Sequence, residues 1–217
     1  MPPKPSTRAR AGGGTKKAAA AADTKSTRTR GRILDAAAKV LSKKGYAGMR
    51  LGDVAAEAEI QAPAIYYYFD SREDLIEEVM WVGLAQMRAH LTQALDAATE
   101  LDPMARIMVA VEAHLRHELE LSDYATASIR NAGQIPDSIR ERADREAIEY
   151  GEVWRGLIKA AIDEGQVNPE LEPYVAQMLA MGALNWAAEW WSPRRGSLDS
   201  VVVMAQTFVR NGLNRQD

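Results

Sequence analysis

Side chains suited to binding nucleic acid lie close together in one stretch of this sequence, residues 49–75. The stretch reads MRLGDVAAEAEIQAPAIYYYFDSREDL and holds an amide, three phenols and two guanidinium groups: Gln61, Tyr66, Tyr67, Tyr68, Arg50 and Arg72. An amide can both donate to and accept from a base edge, and phenol and guanidinium groups hydrogen-bond to phosphate oxygens. The pattern indicates contacts with DNA, provided that a helix presents these groups together.

The spacing of apolar residues around these groups predicts two short helices. The first helix carries Leu51, Val54, Ala55 and Ala58 and breaks at Glu59 and Ile60, and the second carries Ala62, Ile65, Tyr66 and Phe69. Two short helices joined by a tight turn form a helix-turn-helix, whose second helix fits the major groove of DNA.

The start of the second helix holds the groups predicted to read DNA. Gln61 is expected at the N-cap, where its amide can meet a base edge. Ala62 and Ala64 are small, so they let the backbone approach the groove and can meet a thymine methyl group. Pro63 is tolerated because amides in the first helical turn lack intrahelical partners. Tyr67 is expected to point outward, where it can reach a base or a phosphate.

This region resembles the TetR family of bacterial transcriptional repressors over residues 30–79. The matching residues are Val54, Ala55, Ala58, Ile60, Ile65, Tyr66, Tyr68, Phe69, Ser71, Arg72, Glu73 and Leu75. The chain departs from the family's signature at four positions, where Arg50, Glu59, Gln61 and Pro63 replace the usual Thr, Gly, Ser and Gly. These departures touch base and phosphate contacts, so they bear on the operator sequence and not on the fold.

The resemblance also implies roles for individual side chains. In the family, the positions that match Tyr66, Tyr68 and Arg72 meet the phosphate backbone of DNA. Arg50 either replaces the usual Thr in a phosphate contact or is an ordinary solvated charge. Tyr66 and Phe69 have a purely structural alternative, and Phe69 in particular is expected to lie in the core.

His114, His117 and Glu118 form a second group whose spacing could support chemistry. An i, i+3 spacing places both imidazoles on one face of a helix, as in some metal sites. The sequence has no HExxH motif and no further histidine or cysteine nearby. We therefore expect ordinary helix positions or pocket lining for these residues, and no metal or other cofactor. No catalytic triad or phosphate-binding glycine loop is recognisable, so an enzyme is not expected.

Apolar periodicity predicts helices through the rest of the chain and no strands. The expected helices cover residues 33–44, 51–58, 62–69, 72–98, 103–115, 122–130, 136–164, 174–191 and 198–211. The predicted fold class is all-α with about nine helices. A three-helix helix-turn-helix domain is expected over residues 28–74, followed by a larger ligand-binding and dimerisation domain over residues 75–217.

Charge is distributed unevenly along the chain. Residues 1–27 carry a net charge of +5, residues 28–74 of +1 and residues 75–217 of −9, within an overall −3. Positive charge therefore lies where a DNA-facing end needs it. Residues 1–27 are rich in Pro, Gly, Ala, Lys and Thr without periodicity, which predicts a disordered basic tail. That tail is either passive or an arm that binds phosphates or the minor groove.

Composition argues against several other classes of protein. The chain has no cysteine, which removes disulfides and thiol chemistry. No signal peptide is visible, and the most apolar segment, residues 175–188, is shorter than the ~20 residues that span a bilayer. A cytoplasmic protein without a membrane partner is expected.

The last two predicted helices are apolar almost all round, with Met178 and Leu179 in one and Met204 and Phe208 in the other. A helix near the end of a chain normally exposes one face, so a partner is expected to cover these. The resemblance implies a homodimer in which the last two helices pair with their copies as a four-helix bundle. The alternative is a buried core helix in a monomer.

Residues 165–198 resemble the end of TetR members that respond to acyl-coenzyme A thioesters. The matching residues are Gly165, Pro169, Leu171, Leu184, Asn185, Trp186, Trp190, Trp191, Pro193, Gly196 and Leu198. Asn185 lies in an apolar helix, so its amide needs a partner when buried, and a ligand carbonyl is one candidate. The alternative is that the tryptophans form the dimer core.

A pocket is expected between the helices that start near residues 103, 136 and 174. The residues expected to line it are Met108, Trp154, Met181, Asn185 and Trp186, with Arg130 near a thioester, a carboxylate or coenzyme phosphates. Such a pocket would admit a long or polycyclic apolar group.

Together these patterns predict a homodimeric repressor that binds double-stranded operator DNA with palindromic symmetry. A small apolar effector, an acyl-coenzyme A or a fatty acid, is expected to release it by favouring a conformation that no longer matches the half-site spacing. One alternative is a DNA-binding factor without a ligand. The other is a helical metal-binding protein or enzyme that uses His114 and His117.

Overall fold

The structure, a computed structural model, describes residues 14–214 and the side chains of residues 25–214. Within this range the chain forms nine α-helices and no strand, so the predicted all-α class is confirmed. The helices are α1 (Gly14–Gly48), α2 (Leu51–Glu57), α3 (Arg72–Asp96), α4 (Pro103–Arg116), α5 (Asp123–Asn131), α6 (Glu141–Asp163), α7 (Pro173–Asn185), α8 (Ala187–Trp190) and α9 (Leu198–Leu213). A 3₁₀ segment, Ala62–Tyr67, lies between α2 and α3, and a π-helical turn, His117–Leu121, extends α4.

Polar side chains cap several helices at the predicted positions. The hydroxyl of Ser71 accepts a hydrogen bond from the Asp74 amide at 3.0 Å and begins α3. The carboxylate of Asp102 accepts from the Ala105 amide at 2.9 Å and begins α4. Each cap satisfies an amide that has no partner within its helix, which explains why these helices begin where the sequence predicts.

Four of the predicted helices differ from the prediction. The one expected over residues 62–69 is a 3₁₀ segment that ends at Tyr67. Helix α1 begins at Gly14, so residues 14–27 are helical where a disordered tail was predicted; residues 1–13 lie outside the described residues. The run Ala18–Ala22 supplies the strongest helix former in a row, which favours this extension. The long helix expected over residues 174–191 is divided at Trp186 into α7 and α8. Helix α6 begins at Glu141, after a 3₁₀ turn at Asp137–Ile139.

Two apolar cores share helix α3. Its first half, with Leu75 and Ile76, packs with α1, α2 and the 3₁₀ segment, where Phe69 is buried as predicted. Its second half, with Met87 and Leu91, packs with α4, α6, α7 and α9. One continuous helix therefore belongs to both cores and joins the helix-turn-helix to the C-terminal helices.

Helices α3 and α5 cross at very short range. A Cβ atom on Gly83 would collide with the Ser128 hydroxyl and the Tyr124 carbonyl, so only glycine fits at this crossing. The Ser128 hydroxyl in turn donates to the Met80 or Tyr124 carbonyl. Helix α5 is therefore held tightly between α3 and α1. No helix in the described range is long and apolar enough to span a bilayer.

Candidate DNA interface and ligand pocket

The 3₁₀ segment presents a row of exposed polar and aromatic groups. Gln61 occupies the N-cap position, as predicted, but its side chain makes no capping hydrogen bond and is exposed. Tyr66 and Tyr67 are 60% and 82% exposed, whereas Ile65 is fully buried and anchors the segment. The segment is anchored by one residue and free on its outer face, which suits a surface that reads the major groove.

Smaller and more enclosed groups complete this surface. Ala62 and Ala64 are partly exposed beside the exposed Pro63, which occupies the first turn as predicted. Tyr68 is partly exposed and meets the Tyr67 ring edge-on, with the ring centroids 5.1 Å apart. These positions leave the row without a bulky obstacle between Gln61 and the tyrosines.

Glu59 adopts a left-handed backbone conformation in the turn before this segment, with φ at +53°. The TetR signature has glycine here, and glycine alone adopts this region without steric cost. The turn is held by Arg32 of α1, whose guanidinium donates to the Ala58 carbonyl and approaches the Glu59 carbonyl at 3.5 Å.

Replacing Glu59 with glycine is expected to stabilise the protein by about 1 kcal/mol, because the strain of the left-handed conformation is removed. Chemical denaturation at fixed protein concentration measures the change. Ala56→Gly is the matched control, since Ala56 lies exposed within α2 and glycine there should destabilise by about 1 kcal/mol. Equal destabilisation by both substitutions would show that the turn is unstrained.

Arg72 is held by the protein itself. Its Nε donates to the Met49 carbonyl at 3.1 Å, another guanidinium nitrogen donates to the Tyr46 carbonyl, and the guanidinium lies 4.6 Å from the centroid of the Tyr46 ring. The structure therefore gives Arg72 a supporting role between α1 and α3, and its phosphate contact stays a prediction. Arg50, by contrast, is exposed at the start of α2 and caps nothing.

A cavity of about 170 Å³ lies between α3, α5, α6 and α7. Its walls are mainly apolar and include Met181 and Asn185 from α7 and Tyr150 from α6. The buried Oδ1 of Asn185 has no hydrogen-bond partner among the described residues. Leaving a buried amide unpaired is costly, so Asn185 marks the point where a ligand's polar group would fit.

The cavity gathers only part of the predicted ligand-binding set. Met108 and Trp154 do not line the cavity, because both side chains are buried in the apolar core of the C-terminal helices. Trp186 is 64% exposed, since the break after α7 places it on the outside. Arg130 lies away from the cavity and is paired with Glu189 at 2.8 Å.

All three histidines of the chain lie in one buried polar cluster beside the π-helical turn. Nδ1 of His114 is 2.8 Å from the Tyr150 hydroxyl, and its Nε2 is 3.3 Å from the Glu118 carboxylate. The rings of His90 and His117 stack with centroids 4.9 Å apart. No group of three His, Asp or Glu residues in the described range is arranged to hold a metal ion.

Burial controls the ionisation of this cluster. It lowers the pKa of His117 to about 4, with a smaller contribution from the neighbouring histidines. It raises the pKa of Glu118, which the contact with His114 only partly opposes. Burial also raises the pKa of Tyr150, so its hydroxyl stays protonated. Sequence reasoning found His114, His117 and Glu118 but missed His90 and Tyr150, which only the packing of α3 and α6 brings to them.

An apolar face covers α7, α8 and α9. Its exposed large side chains are Tyr174, Val175, Met178, Leu179, Trp186, Trp190, Val203, Met204 and Phe208. Grooves of about 350 and 290 Å³ run between α7 and α9, and Phe208 lines both. This α7–α9 face holds nine of the fourteen large hydrophobic side chains that are exposed in the described range, which is typical of a surface that another protein covers.

Sequence models of known families match both parts of the chain. The family described as "Bacterial regulatory proteins, tetR family" matches residues 33–79. The one described as "Tetracyclin repressor-like, C-terminal domain" matches residues 100–212, which is more than half of the chain. The chain belongs to the TetR family. Both predicted resemblances to this family are thus confirmed at the level of the family, and the helix-turn-helix is its DNA-binding element.

Individual TetR relatives are distant in sequence and close in fold. The HTH-type transcriptional repressor KstR2 of Mycobacterium tuberculosis is 23% identical over 168 residues, which cover 76% of this chain and 82% of KstR2. AibR, solved with isovaleryl coenzyme A and operator DNA, is 18% identical with a TM-score of 0.73 and covers 83% of this chain and 96% of its own. The fatty acid degradation regulator FadR of Bacillus halodurans is 19% identical with a TM-score of 0.71, covering 86% and 97%.

Proposed function

We propose that this TetR-family protein is a cytoplasmic repressor that binds a palindromic operator as a homodimer and is released by a small apolar effector. The observation that carries the proposal is the row formed by Gln61, Tyr66 and Tyr67, which is exposed on an anchored segment and is not covered by any of the residues that the structure describes. Each subunit would place this row in one major groove.

The α7–α9 face supports the homodimer. An exposed apolar surface of this size costs free energy in water, and a second copy of the same face covers it by two-fold symmetry. An interface of this kind should bury more than ~2,000 Å² in total, as stable dimers do. Two-fold symmetry of the protein then requires two-fold symmetry of the operator.

The cavity beside Asn185 supports an effector that carries a polar group on an apolar body. The unpartnered Oδ1 can accept from an N–H or O–H of the effector, and the amide nitrogen can donate to a thioester, ketone or ester oxygen. The surrounding methionines can adapt to an apolar group. A volume of about 170 Å³ is below the range of roughly 300–1,000 Å³ usual for drug-sized ligands, so it fits an acyl group with the coenzyme outside. AibR, whose fold this chain shares, binds isovaleryl coenzyme A.

The small cavity also favours one rival, a DNA-binding factor without any effector. Under this alternative the cavity is a packing defect, and Asn185 remains unpaired in the working protein. The two functions share the operator and differ only in release.

Selection of binding sites from random DNA tests operator binding, which both functions share. We expect a two-fold symmetric motif and an affinity that falls steeply with salt concentration, because phosphate contacts release counterions. Gln61→Ala should change the preferred bases, while Arg50→Ala should weaken binding evenly across sequences if Arg50 meets a phosphate. Recovery of no symmetric motif would contradict the proposed function.

Release of that operator by matched ligands tests the effector. Isovaleryl-coenzyme A, octanoyl-coenzyme A and octanoic acid are titrated against the protein–operator complex. A thioester should release DNA at micromolar concentration, and Asn185→Leu should blunt release while leaving operator affinity unchanged. If the ligands cause neither release nor a shift in Tm, the factor without effector is the better description.

A further inference from the structure

The kink in α1 breaks a backbone hydrogen bond, and two neighbouring residues of α5 replace it. In an uninterrupted helix the Tyr46 amide would donate to the Ser42 carbonyl, four residues earlier. Gly45 interrupts the helix with φ at +69°, and the Tyr46 amide donates instead to Oδ1 of Asn131 at 2.7 Å. The Ser42 carbonyl accepts from Nη1 of Arg130 at 3.0 Å. Both halves of the broken pair are therefore held from α5.

Arg130 links this kink to α8. Its Nε donates to one carboxylate oxygen of Glu189 at 2.8 Å, and its Nη2 approaches the other at 3.4 Å. The bond from Arg130 lowers the pKa of Glu189, so the carboxylate is charged at neutral pH. A single guanidinium thus joins the DNA-binding domain to a helix that begins two residues after the cavity residue Asn185.

The chain after the kink leads through the last turn of α1 and through α2 to the 3₁₀ segment. Arg72, at the start of α3, donates to the carbonyls of Tyr46 and Met49. The 3₁₀ segment ends at Tyr67, five residues before Arg72. Residues 46–49 are therefore held by Asn131 of α5 at the Tyr46 amide and by Arg72 at the carbonyls of Tyr46 and Met49.

We propose that Arg130 is a positioning residue for operator binding, and that Glu189 holds it in place. The Arg130–Glu189 pair sets the angle of the α1 kink and so the position of the 3₁₀ segment relative to the C-terminal domain. An isolated, partly exposed ion pair contributes little to stability. Its effect on operator binding is larger, because the same guanidinium satisfies a carbonyl that the kink leaves without its helical partner. The inference rests on the proposed function.

Neutral substitutions on both sides of the pair test the proposal. Arg130→Gln removes a positive charge and Glu189→Gln removes a negative one, so long-range electrostatics alone would weaken DNA binding in the first variant and strengthen it in the second. Positioning predicts that both weaken operator binding, by about tenfold. The double variant should bind the operator no more weakly than the single variant with the larger loss of affinity, because the two residues act as one unit.

Two further measurements separate positioning from other roles. The salt dependence of operator binding should be unchanged in both variants, whereas loss of a direct phosphate contact would reduce its slope by about one. The Tyr46 amide should exchange with solvent about tenfold faster in Arg130→Gln, without any DNA present. Arg116→Gln is the matched control, since Arg116 pairs α4 with Asp199 of α9 within the C-terminal domain. Arg116→Gln should change neither the salt dependence of operator binding nor the exchange rate of the Tyr46 amide.

Opposite effects of the two variants on operator affinity would overturn the proposal in favour of simple electrostatics, and affinity within twofold of wild type would overturn it outright. A drop in Tm without a loss of operator affinity at low temperature would reduce Arg130 to a structural residue. If no symmetric operator is recovered, the proposed function fails, and unchanged exchange of the Tyr46 amide would then refute the link between Arg130 and the kink as well.

Discussion

Phe208→Asp is expected to convert the proposed dimer into a folded monomer and to lower operator affinity by on the order of a hundredfold or more. Phe208 is 67% exposed in the single chain and lines both grooves of the α7–α9 face. A carboxylate at this position would be buried without a partner in the dimer, which costs several kcal/mol. Loss of the second reading head then removes the gain from binding two half-sites together.

Sedimentation measures the dimer, and fluorescence anisotropy of labelled operator measures binding. Ile148→Asp is the matched control, because Ile148 is 61% exposed on α6, outside the α7–α9 face, and its substitution should leave both quantities unchanged. Circular dichroism establishes that Phe208→Asp remains helical. A Phe208→Asp protein that stays dimeric at low micromolar concentration would place the interface elsewhere.

Acid is expected to destabilise the protein through His117. Its pKa is lowered to about 4 in the folded chain, against roughly 6.5 in an unfolded one. The unfolded state therefore binds a proton first as pH falls, and folding free energy is lost between pH 6.5 and 4. The loss from this residue reaches at most ~1.4 kcal/mol per pH unit and stops below the folded pKa. Above pH 6.5 the contribution is fully present.

The neighbouring Glu118 acts with the opposite sign. Burial raises its pKa, so the folded state binds a proton before the unfolded state does, and the stability it contributes is lost as pH rises. The other groups facing the cluster are His90 on α3, His114 on α4 and Tyr150 on α6, and the charges of Arg130 on α5 and Glu189 on α8 also act on Glu118 in opposite directions. The net pH dependence of wild type is the difference between these opposing effects.

Two variants separate the contributions, with unfolding free energy measured between pH 4 and 8 at one protein concentration. His117→Leu should flatten the loss of stability toward acid, while Glu118→Gln should steepen it and raise stability at pH 7.5. His90→Gln is the control that removes the ring stacked on His117 while leaving His117 itself in place. An identical slope in wild type and His117→Leu would show that His117 titrates normally in the folded chain.

Local patterns in the sequence were sufficient to predict the helix-turn-helix and the starts of α3 and α4, but not the starts of α1 and α6. The turn at Glu59, the buried Ile65 and Phe69, and the caps at Ser71 and Asp102 depend on residues within a few positions of one another. Periodicity and capping act over this short range, so the sequence reports them directly. The resemblance to the TetR motif added the expectation that the 3₁₀ segment contacts DNA.

Contacts between distant helices were outside the reach of these patterns. Arg130 was predicted to face coenzyme phosphates, but folding brings it to Ser42 and Glu189, which are 88 and 59 residues away. Likewise, nothing local to Trp154 indicates that it lies in the core and not in the cavity. A side chain's neighbours across a helix bundle depend on the crossing of whole helices, which many weak packing contacts determine together.

The sequence by itself therefore determined the helical class, the family and the segment that we propose reads DNA, because each rests on short-range spacing. Only the tertiary structure decided which groups line the cavity, how α5 holds the kinked end of α1, and that His90, His117 and Glu118 share a buried cluster. These arrangements bring together groups far apart in the chain, and their energies exist only once the helices have packed.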